Sequence, residues 1–331
     1  MKSHVRAVFI TAPGGPEVLQ LGEVALRAPG YGEARVRVLA NGLNRADCLQ
    51  RKGLYPAPRG VDGRVPGLEF AGVIEALGEG CFDWRLGDRV MGIVGGAAMA
   101  EAIVVNAREL MRVPSSLSID EAAAIPEVFL TAYDALAQGQ ASAGERVLIH
   151  AVGSGVGTAA VQLARLMGLS PLGTARSAEK LDRCRALGLD AGVAVGAEGL
   201  FAAAIQELGP APSLIIDGIG GRYLDENLKV LAPMGRLVVL GLLGGNSATL
   251  SLGMMLQKRL TLIGTVLRSR ASEEKASLAR RFDRNMIHHF ESGSLKPVID
   301  ATMPITRIAE AHQLMERNET FGKIVLRWEG A

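Results

Sequence analysis

The stretch His150-Ala151-Val152-Gly153-Ser154-Gly155-Val156-Gly157 decides the fold, because it lies between an apolar strand and an apolar helix. Val147–Ile149 before it has the pattern of a short buried strand, and Thr158–Met167 after it has the pattern of a helix. Glycines at such a junction let the backbone approach a ligand closely, and the helix that follows offers free N–H groups. The stretch therefore predicts a strand, a turn and a helix that can hold a phosphate.

This context is typical of dinucleotide-binding turns, so we expect a diphosphate to be bound by residues 153–157, namely Gly153, Ser154, Gly155, Val156 and Gly157. The match to the G-x-G-x-x-G pattern is incomplete. If Gly157 is the third glycine, Val152 and Ser154 take the places of the first two. A glycine-rich turn without a ligand therefore stays open as the alternative.

Apolar strands and helices alternate after this turn. Strands are expected at Pro171–Ala175, Leu214–Ile216, Leu237–Leu240 and Leu260–Val266, and a charged helix at Ala178–Leu187. This alternation predicts an α/β fold, in which βαβ units form a doubly wound parallel sheet of the Rossmann type.

The chain before residue 115 has a different pattern. Short strands among glycine-rich turns are expected at Val5–Thr11, Arg35–Ala40, Val73–Leu77 and Ile103–Val105, with the alternating charges of Arg35–Ala40 indicating a half-exposed strand. A capping box of Ser118 and Glu121 begins an Ala-rich helix over Ile119–Ala137, which Pro126 should kink or interrupt. Further helices at Glu273–Glu291 and Arg307–Arg317 precede a last strand at Lys323–Leu326.

Composition excludes several classes of protein. The 331 residues carry a net charge of +2 without a basic stripe, so nucleic acid is not an expected partner. No apolar run is long enough to cross a membrane, and the first ten residues lack the apolar core of a signal peptide. Three scattered cysteines indicate a reducing compartment, so we expect a cytoplasmic protein.

The end of the second strand of the α/β region indicates which dinucleotide binds. NAD sites place an acidic residue about 20 residues past the glycines, where it holds the ribose hydroxyls. This chain has Thr174-Ala175-Arg176-Ser177 there, with Lys180 one turn later. Because Arg176, Ser177 and Lys180 suit a 2′-phosphate, the pattern favours NADPH, although ordinary surface charges would give the same sequence.

Several segments together resemble the zinc-independent quinone oxidoreductases of the medium-chain dehydrogenase/reductase superfamily. They are Asn41–Asp47, Pro66–Gly72, Ala122–Pro126, the glycine turn and Gly322–Leu326, in order from about residue 5 to 327. Leu49-Gln50-Arg51, Tyr55 and Leu267–Arg270 are similar to the tumour-suppressor-inducible quinone oxidoreductase subgroup.

The resemblance implies a GroES-like catalytic domain over residues 1–127, a Rossmann domain over 128–268 and a C-terminal segment over 269–331 that returns to the catalytic domain. It also implies NADPH, a cleft between the domains and a homodimer. Val195 departs from the subgroup, which often has a Tyr near the cofactor's phosphate end, and this weakens the NADPH assignment.

The zinc alcohol dehydrogenases of the same superfamily use Cys and His ligands. By the resemblance, Asn44 and Leu68 stand in those places, and neither is a good zinc ligand. Glu69 is expected to bond within a turn and His150 to be a hydrogen-bonded structural residue, so no metal is expected.

A quinone needs little Lewis-acid help to accept a hydride, so it is the expected substrate. Asn44 is a candidate hydrogen-bond donor to the acceptor oxygen, and Tyr55 is either a hydroxyl donor or a wall of the pocket. Thr131 is expected to face the nicotinamide. Arg45 and Asp47 are expected to pair with each other. Further cofactor contacts are expected at strand ends and in the terminal motif, namely Ile219, Gly241, Leu242, Leu243, Leu267 and Lys323.

Two other functions stay open. One is an NADPH-dependent reductase of enals or enones, because the sequence does not show the shape of the substrate pocket. The other is an NADPH-binding protein without enzymatic activity.

Overall fold

The structure is a computed structural model that describes residues 3–328. The chain forms two compact units. The first, which we call the outer unit because its two segments flank the other unit in the sequence, extends to Leu130 and resumes at Leu267. The second, the inner unit, is Thr131–Val266.

The first part of the chain is mostly strands. They are β1 (His4–Ile10), β2 (Leu19–Ala25), β3 (Glu33–Leu43), β4 (Glu69–Leu77), β5 (Arg89–Ile93), β6 (Ala102–Asn106) and β7 (Leu110–Arg112). The helices are α1 (Arg45–Arg51), α2 (Ile119–Ala123) and α3 (Pro126–Gln138). The expected interruption at Pro126 is confirmed, and the Ser118–Glu121 capping box begins α2.

The inner unit alternates strands and helices. The strands are β8 (Arg146–Ile149), β9 (Ser170–Ala175), β10 (Ala191–Ala194), β11 (Leu214–Asp217), β12 (Arg236–Val239) and β13 (Thr261–Gly264). The helices are α4 (Gly155–Leu166), α5 (Ala178–Arg185), α6 (Ala202–Glu207), α7 (Leu224–Val230) and α8 (Leu252–Lys258).

The C-terminal part of the chain contributes α9 (Ser272–Glu291), β14 (Ile299–Pro304), α10 (Ile308–Arg317) and β15 (Lys323–Arg327). Strand β15 lies beside β3, so the outer sheet has the order β14-β15-β3-β4-β5-β7, with β6 also pairing with β3. The pairs are antiparallel except β14 with β15. The expectation that β3 is half exposed holds at Arg37, which is exposed, but is wrong at Arg35, which is 6% exposed and forms an ion pair with Glu75 on the neighbouring β4.

The inner sheet is parallel, with the order β10-β9-β8-β11-β12-β13. The predicted α/β fold with a GroES-like and a Rossmann part is therefore confirmed. Successive strands run outward from β8 in one direction and from β11 in the other, so the strand order reverses between β8 and β11. In open parallel sheets, ligands bind at the carboxyl ends of the strands at this switch point. Among residues 3–328, no helix is both long enough and apolar enough to cross a membrane.

Candidate active site

The glycine turn lies at the switch point of the inner sheet, directly after β8. Ser154 is the N-cap of α4, and its Oγ accepts a hydrogen bond from the Gly157 backbone N–H at 3.0 Å. Among the described residues, no partner is found for the backbone N–H groups of Gly155 and Val156, both partly exposed. Free N–H groups and the positive end of the helix dipole suit an anion here.

Gly157 is required for this geometry. A Cβ at this position would lie 2.4 Å from the Ala151 carbonyl oxygen and 2.5 Å from the Val152 Cα, both backbone atoms that cannot rotate away. The absence of a side chain lets α4 pack closely on the turn. Of the three glycines in the turn, Gly157 thus takes the helix-packing place that the sequence assigned to it.

The three residues expected at the 2′-phosphate follow β9, the strand beside β8. Ser177 is the N-cap of α5, Arg176 is exposed and Lys180 lies one turn into the helix. The aliphatic chain of Lys180 crosses the glycine turn, because a Cβ on Gly153 would lie 2.9 Å from the Lys180 Cδ. The structure therefore brings Lys180 next to the turn that would hold the diphosphate.

The loops after β11 and β12 meet at the same sheet edge. The Gly244 N–H donates to the Ile219 carbonyl at 2.6 Å, and a Cβ on Gly241 would lie 2.8 Å from the Gly218 carbonyl oxygen. Leu242 and Leu243 are more than half exposed. Ile219, Gly241, Leu242 and Leu243 are thus grouped in one loop cluster, whereas Leu267 is buried in the outer unit. Thr131 is the first residue of the inner unit and is partly exposed.

His150 links three strand ends through buried hydrogen bonds. Its Nδ1 lies 2.8 Å from Thr174 Oγ1 and its Nε2 lies 2.6 Å from Asn227 Oδ1. Asn227 Nδ2 donates to Asp217 Oδ2, and Asp217 Oδ1 accepts from the N–H of Ile219 at 2.6 Å. Burial lowers the pKa of His150 below its usual value. The expected structural role of His150 is confirmed, and through Asp217 it shapes a loop at the cofactor edge.

A buried ion pair lies in the outer unit at the end of β3. The Lys323 ammonium donates to Glu69 Oε1 at 2.6 Å, to Asn44 Oδ1 at 2.7 Å and to the Leu43 carbonyl at 2.7 Å. Because all three ammonium hydrogens have acceptors in this unit, Lys323 supports Asn44 and Glu69 and is not available as the expected cofactor contact. Glu69 begins strand β4 and does not lie in a turn, which corrects the expectation made for it.

The Asn44 carboxamide is also engaged. Its Nδ2 donates to Glu69 Oε1 at 2.8 Å and to the Gly42 carbonyl at 3.3 Å. To donate to an acceptor oxygen, Asn44 would have to give up one of these bonds. Its catalytic role stays a prediction. The contacts that Asn44 makes hold its side chain in one orientation.

Asp47 and Arg45 do not pair with each other, contrary to expectation. Asp47 is fully buried and accepts from the backbone N–H groups of Asn44 at 2.8 Å and Gly67 at 3.0 Å. Arg45 donates instead to the Met315 carbonyl and to Asn318 on α10. Burial raises the pKa of Asp47 to about 6.

Tyr55 lies beside Arg268 in the outer unit. The guanidinium carbon of Arg268 is 4.7 Å from the centre of the Tyr55 ring, and Nη1 donates to the Tyr55 carbonyl at 3.0 Å. The remaining donors of Arg268 bond to the Gly95 carbonyl and to Gln50. Burial raises the pKa of the Tyr55 hydroxyl. Sequence reasoning named Tyr55 but not Arg268, although an Arg in the Leu267–Arg270 segment was part of the resemblance.

The places that the resemblance gives to zinc ligands hold Asn44, with the contacts above, and Leu68, which is 1% exposed. Among residues 3–328, no group of three or more His, Cys, Asp or Glu side chains is arranged to hold a metal ion. The Lys323 ammonium is the cation that contacts Asn44 and Glu69.

Comparison with known proteins identifies the family. A model described as "Alcohol dehydrogenase GroES-like domain" matches residues 30–115, and one described as "Zinc-binding dehydrogenase" matches residues 155–283. The quinone oxidoreductase of Homo sapiens is 32% identical over 339 residues, which cover 97% of each chain. The chain belongs to the medium-chain dehydrogenase/reductase superfamily.

Other members of the superfamily match as well. The pikromycin polyketide synthase component PikAII of Streptomyces venezuelae is 38% identical over 234 residues, which are 70% of this chain but only 6% of that much longer protein. The solved structure of the JamJ enoyl reductase in its apo form is 30% identical with a TM-score of 0.86, and the match covers 98% of this chain and 99% of that chain.

The fold of this superfamily binds a nicotinamide cofactor, and the glycine turn of the inner unit fits one. Its backbone N–H groups at Gly155 and Val156 are open to an anion, and the absence of a side chain at Gly157 lets α4 begin close to the turn.

Proposed function

We propose that the chain is an NADPH-dependent quinone oxidoreductase that transfers hydride without a metal. The glycine turn beside Arg176, Ser177 and Lys180 carries the cofactor part of this proposal. The match to human quinone oxidoreductase over 97% of both chains supports the acceptor class. The similarity to the tumour-suppressor-inducible subgroup is part of the same proposal.

Different groups of residues bind different parts of the dinucleotide. Gly153–Gly157 and the N-terminus of α4 bind the diphosphate, while Arg176 and Lys180 pair with the 2′-phosphate. Ile219 and residues 241–243 cover the remainder at the sheet edge. When bound, NADPH supplies the hydride, and the protein contributes orientation and exclusion of water.

The outer unit provides the polar groups for the acceptor. Tyr55 has a hydroxyl on a partly exposed side chain held by Arg268, and it is the candidate donor to the acceptor oxygen. Thr131 is proposed to face the nicotinamide. The Lys323–Glu69–Asn44 contacts occupy the place of a zinc site with an ammonium, so the proposal needs an acceptor that is already electrophilic, as a quinone is.

An enoyl reductase is the second candidate, because both the JamJ enoyl reductase and a polyketide synthase component match this chain. The hydride would then go to a β-carbon of an enal or enone. A homodimer and a cytoplasmic location complete the proposal. A small molecule, rather than a nucleic acid or a membrane, is the proposed partner.

The deciding experiment measures NADPH oxidation by the purified full chain with 9,10-phenanthrenequinone, 1,2-naphthoquinone and 2-hexenal, and repeats it with NADH. We expect turnover of the quinones and a higher kcat/KM with NADPH than with NADH. Turnover of 2-hexenal alone would replace the quinone proposal with the enoyl reductase. Cofactor binding without turnover of any acceptor would contradict both.

A further inference from the structure

Five charged groups act on one another in the outer unit. Three are acids, Asp47, Glu69 and Glu127, and two are bases, Lys323 and Arg268. Glu69, Asp47, Lys323 and Arg268 are each less than 9% exposed, so solvent screens them little. If all five were ionised, this buried cluster would carry an excess negative charge, which a low-dielectric interior disfavours.

The three acids differ in their partners. Glu69 accepts from Lys323 and Asn44 through Oε1 and from the Glu127 backbone N–H through Oε2 at 2.8 Å. Asp47 accepts two backbone N–H bonds. Within residues 3–328, the Glu127 carboxyl has neither a hydrogen-bond donor nor an ion-pair partner. Of the three acids in this cluster, Glu127 is therefore the one whose protonation costs the least free energy.

The electrostatics agree with this comparison of partners. Burial, together with the charges of Glu69 and Asp47, raises the pKa of Glu127 to about 8, against the opposing effect of Lys323 and Arg268. A carboxyl of this kind is protonated near neutral pH and can still give up its proton.

Glu127 also acts on the candidate donor. Burial raises the pKa of the Tyr55 hydroxyl, Arg268 on the Tyr55 ring lowers it, and the charge of Glu127 adds to the rise. Glu127 and Tyr55 are both partly exposed, unlike the fully buried Asp47 and Glu69. The acid that lacks a partner is thus the one that a small molecule or water can reach.

We propose that Glu127 is the internal proton source of the reaction, delivering through Tyr55 or one water the proton that must follow hydride transfer to the acceptor. This inference rests on the proposed reductase function and adds a residue to it. One hydride brings two electrons and leaves the reduced acceptor as an oxyanion. The Glu127 O–H bond then breaks, its proton forms the acceptor's new O–H bond, and the Glu127 carboxylate regains a proton from solvent.

The first test does not depend on activity. Infrared difference spectra of the full-length protein without cofactor are recorded while the pH is stepped from 5 to 10, in the wild type and in Glu127→Gln. We expect a carboxylic acid band in the wild type with a midpoint near pH 8 that is missing from Glu127→Gln. Glu291→Gln, which changes an exposed Glu at the end of α9, should keep the band. A wild-type spectrum without this band overturns the proposal.

The second test measures the dependence of kcat on pH with a quinone. In the wild type, kcat should fall as the pH rises through about 8, because the proton is lost. Glu127→Gln should lower kcat about 100-fold and remove that fall. Glu127→Asp keeps an acid and should retain the fall with a smaller loss of kcat. The cofactor dissociation constant should change little in either variant, since Glu127 lies outside the inner unit.

Stability gives a check on whether the variant folds. The carboxyl has a higher pKa in the folded protein than the value of 4.5 expected when unfolded, so the stability that its proton confers is present below pH 4.5 and lost as pH rises through about 8. Glu127→Gln should lack this loss. Absence of turnover by the wild type would contradict the proposed function, whereas wild-type turnover with an unaltered pH profile in Glu127→Gln would contradict only the role of Glu127.

Discussion

At the scale of single residues, Gly157 shows how little space the cofactor turn leaves. A Cβ at this position would overlap three backbone atoms of residues 151 and 152. The helix can therefore begin close to the sheet only if this position carries a hydrogen atom. The same closeness brings the free N–H groups of α4 to the sheet edge, so packing and ligand binding depend on one atom.

Gly157→Ala should consequently impair both properties. Forcing a methyl group into a packed site costs about 1–3 kcal/mol, which urea unfolding would measure as a lower free energy of unfolding. The NADPH dissociation constant, from a fluorescence titration, should rise about tenfold or more as the turn shifts. Gly196→Ala is the matched control, because a Cβ there has no atom within 4 Å. Equal affinity in the two variants would count against the assigned role of the turn.

The candidate site residues that the sequence indicated are those that lie close together along the chain, such as the glycine turn and Arg176. The sequence did not identify those whose chemistry depends on distant contacts. Lys323 and Glu69 are 254 residues apart, and no local pattern shows that they meet. Glu127 offered one signal, since it is a single acid among the apolar residues 122–130, but its missing partner is visible only in three dimensions.

At the scale of elements, the hydrogen bonds of His150 connect β8, β9, β11 and α7 in one buried hydrogen-bond network. Each of its members is less than 5% exposed. Because an unpaired buried polar group costs free energy, this network fixes how these elements pack against one another. The network ends on the loop that contains Ile219, so a substitution at His150 should alter the loop at the carboxyl end of β11, where we propose that the cofactor binds.

His150→Ala should leave Thr174 and Asn227 with unpaired buried atoms. We expect a loss of about 2–4 kcal/mol in the free energy of unfolding at pH 7, measured with urea. Because burial lowers the pKa of His150, the stability it confers is lost as pH falls below 6.5, so the difference between wild type and variant should narrow there. His288→Ala removes an exposed His and should leave stability unchanged; a similar loss in both variants would refute this interpretation.

The strongly apolar elements were predictable because their patterns are long or continuous, as in β8, β9 and α9. Short elements were missed. Strand β10 has the sequence Ala-Gly-Val-Ala and no buried residue, and α8 likewise buries none, so neither shows a one-sided apolar pattern. Such elements form because a neighbouring strand or turn provides their partners.

At the scale of the whole molecule, the inner sheet ends in an open edge at β13. Helix α8, which directly precedes β13 in the chain, exposes large apolar side chains, including Leu252 at 64% and Leu256 at 78%. Open edges with apolar surroundings favour pairing with another chain. If the proposed homodimer forms through this edge, we expect two copies of β13 to pair across a twofold axis.

Gly264→Pro tests that arrangement. The N–H groups of Thr261 and Thr265 bond to the β12 side, so by alternation the Gly264 N–H points to the open edge. We expect sedimentation velocity to show a dimer for the wild type and a monomer for Gly264→Pro, since proline removes the donor. Gly264→Ala should remain a dimer, because a Cβ there meets no atom within 4 Å. A monomeric wild type would exclude the arrangement.

The return of the chain to the outer unit also sets the order in which the protein can be built during translation. Residues up to 130 leave the ribosome before the inner unit does, but β3 then lacks β15 on one side, and Glu69 lacks its ammonium partner. The inner unit, which is continuous in sequence, can fold as soon as it has emerged. The part of the outer unit that is synthesised before the inner unit therefore completes its folding after it. Until β15 is synthesised, the unpaired edge of β3 and the unpaired carboxylate of Glu69 are exposed to chaperones.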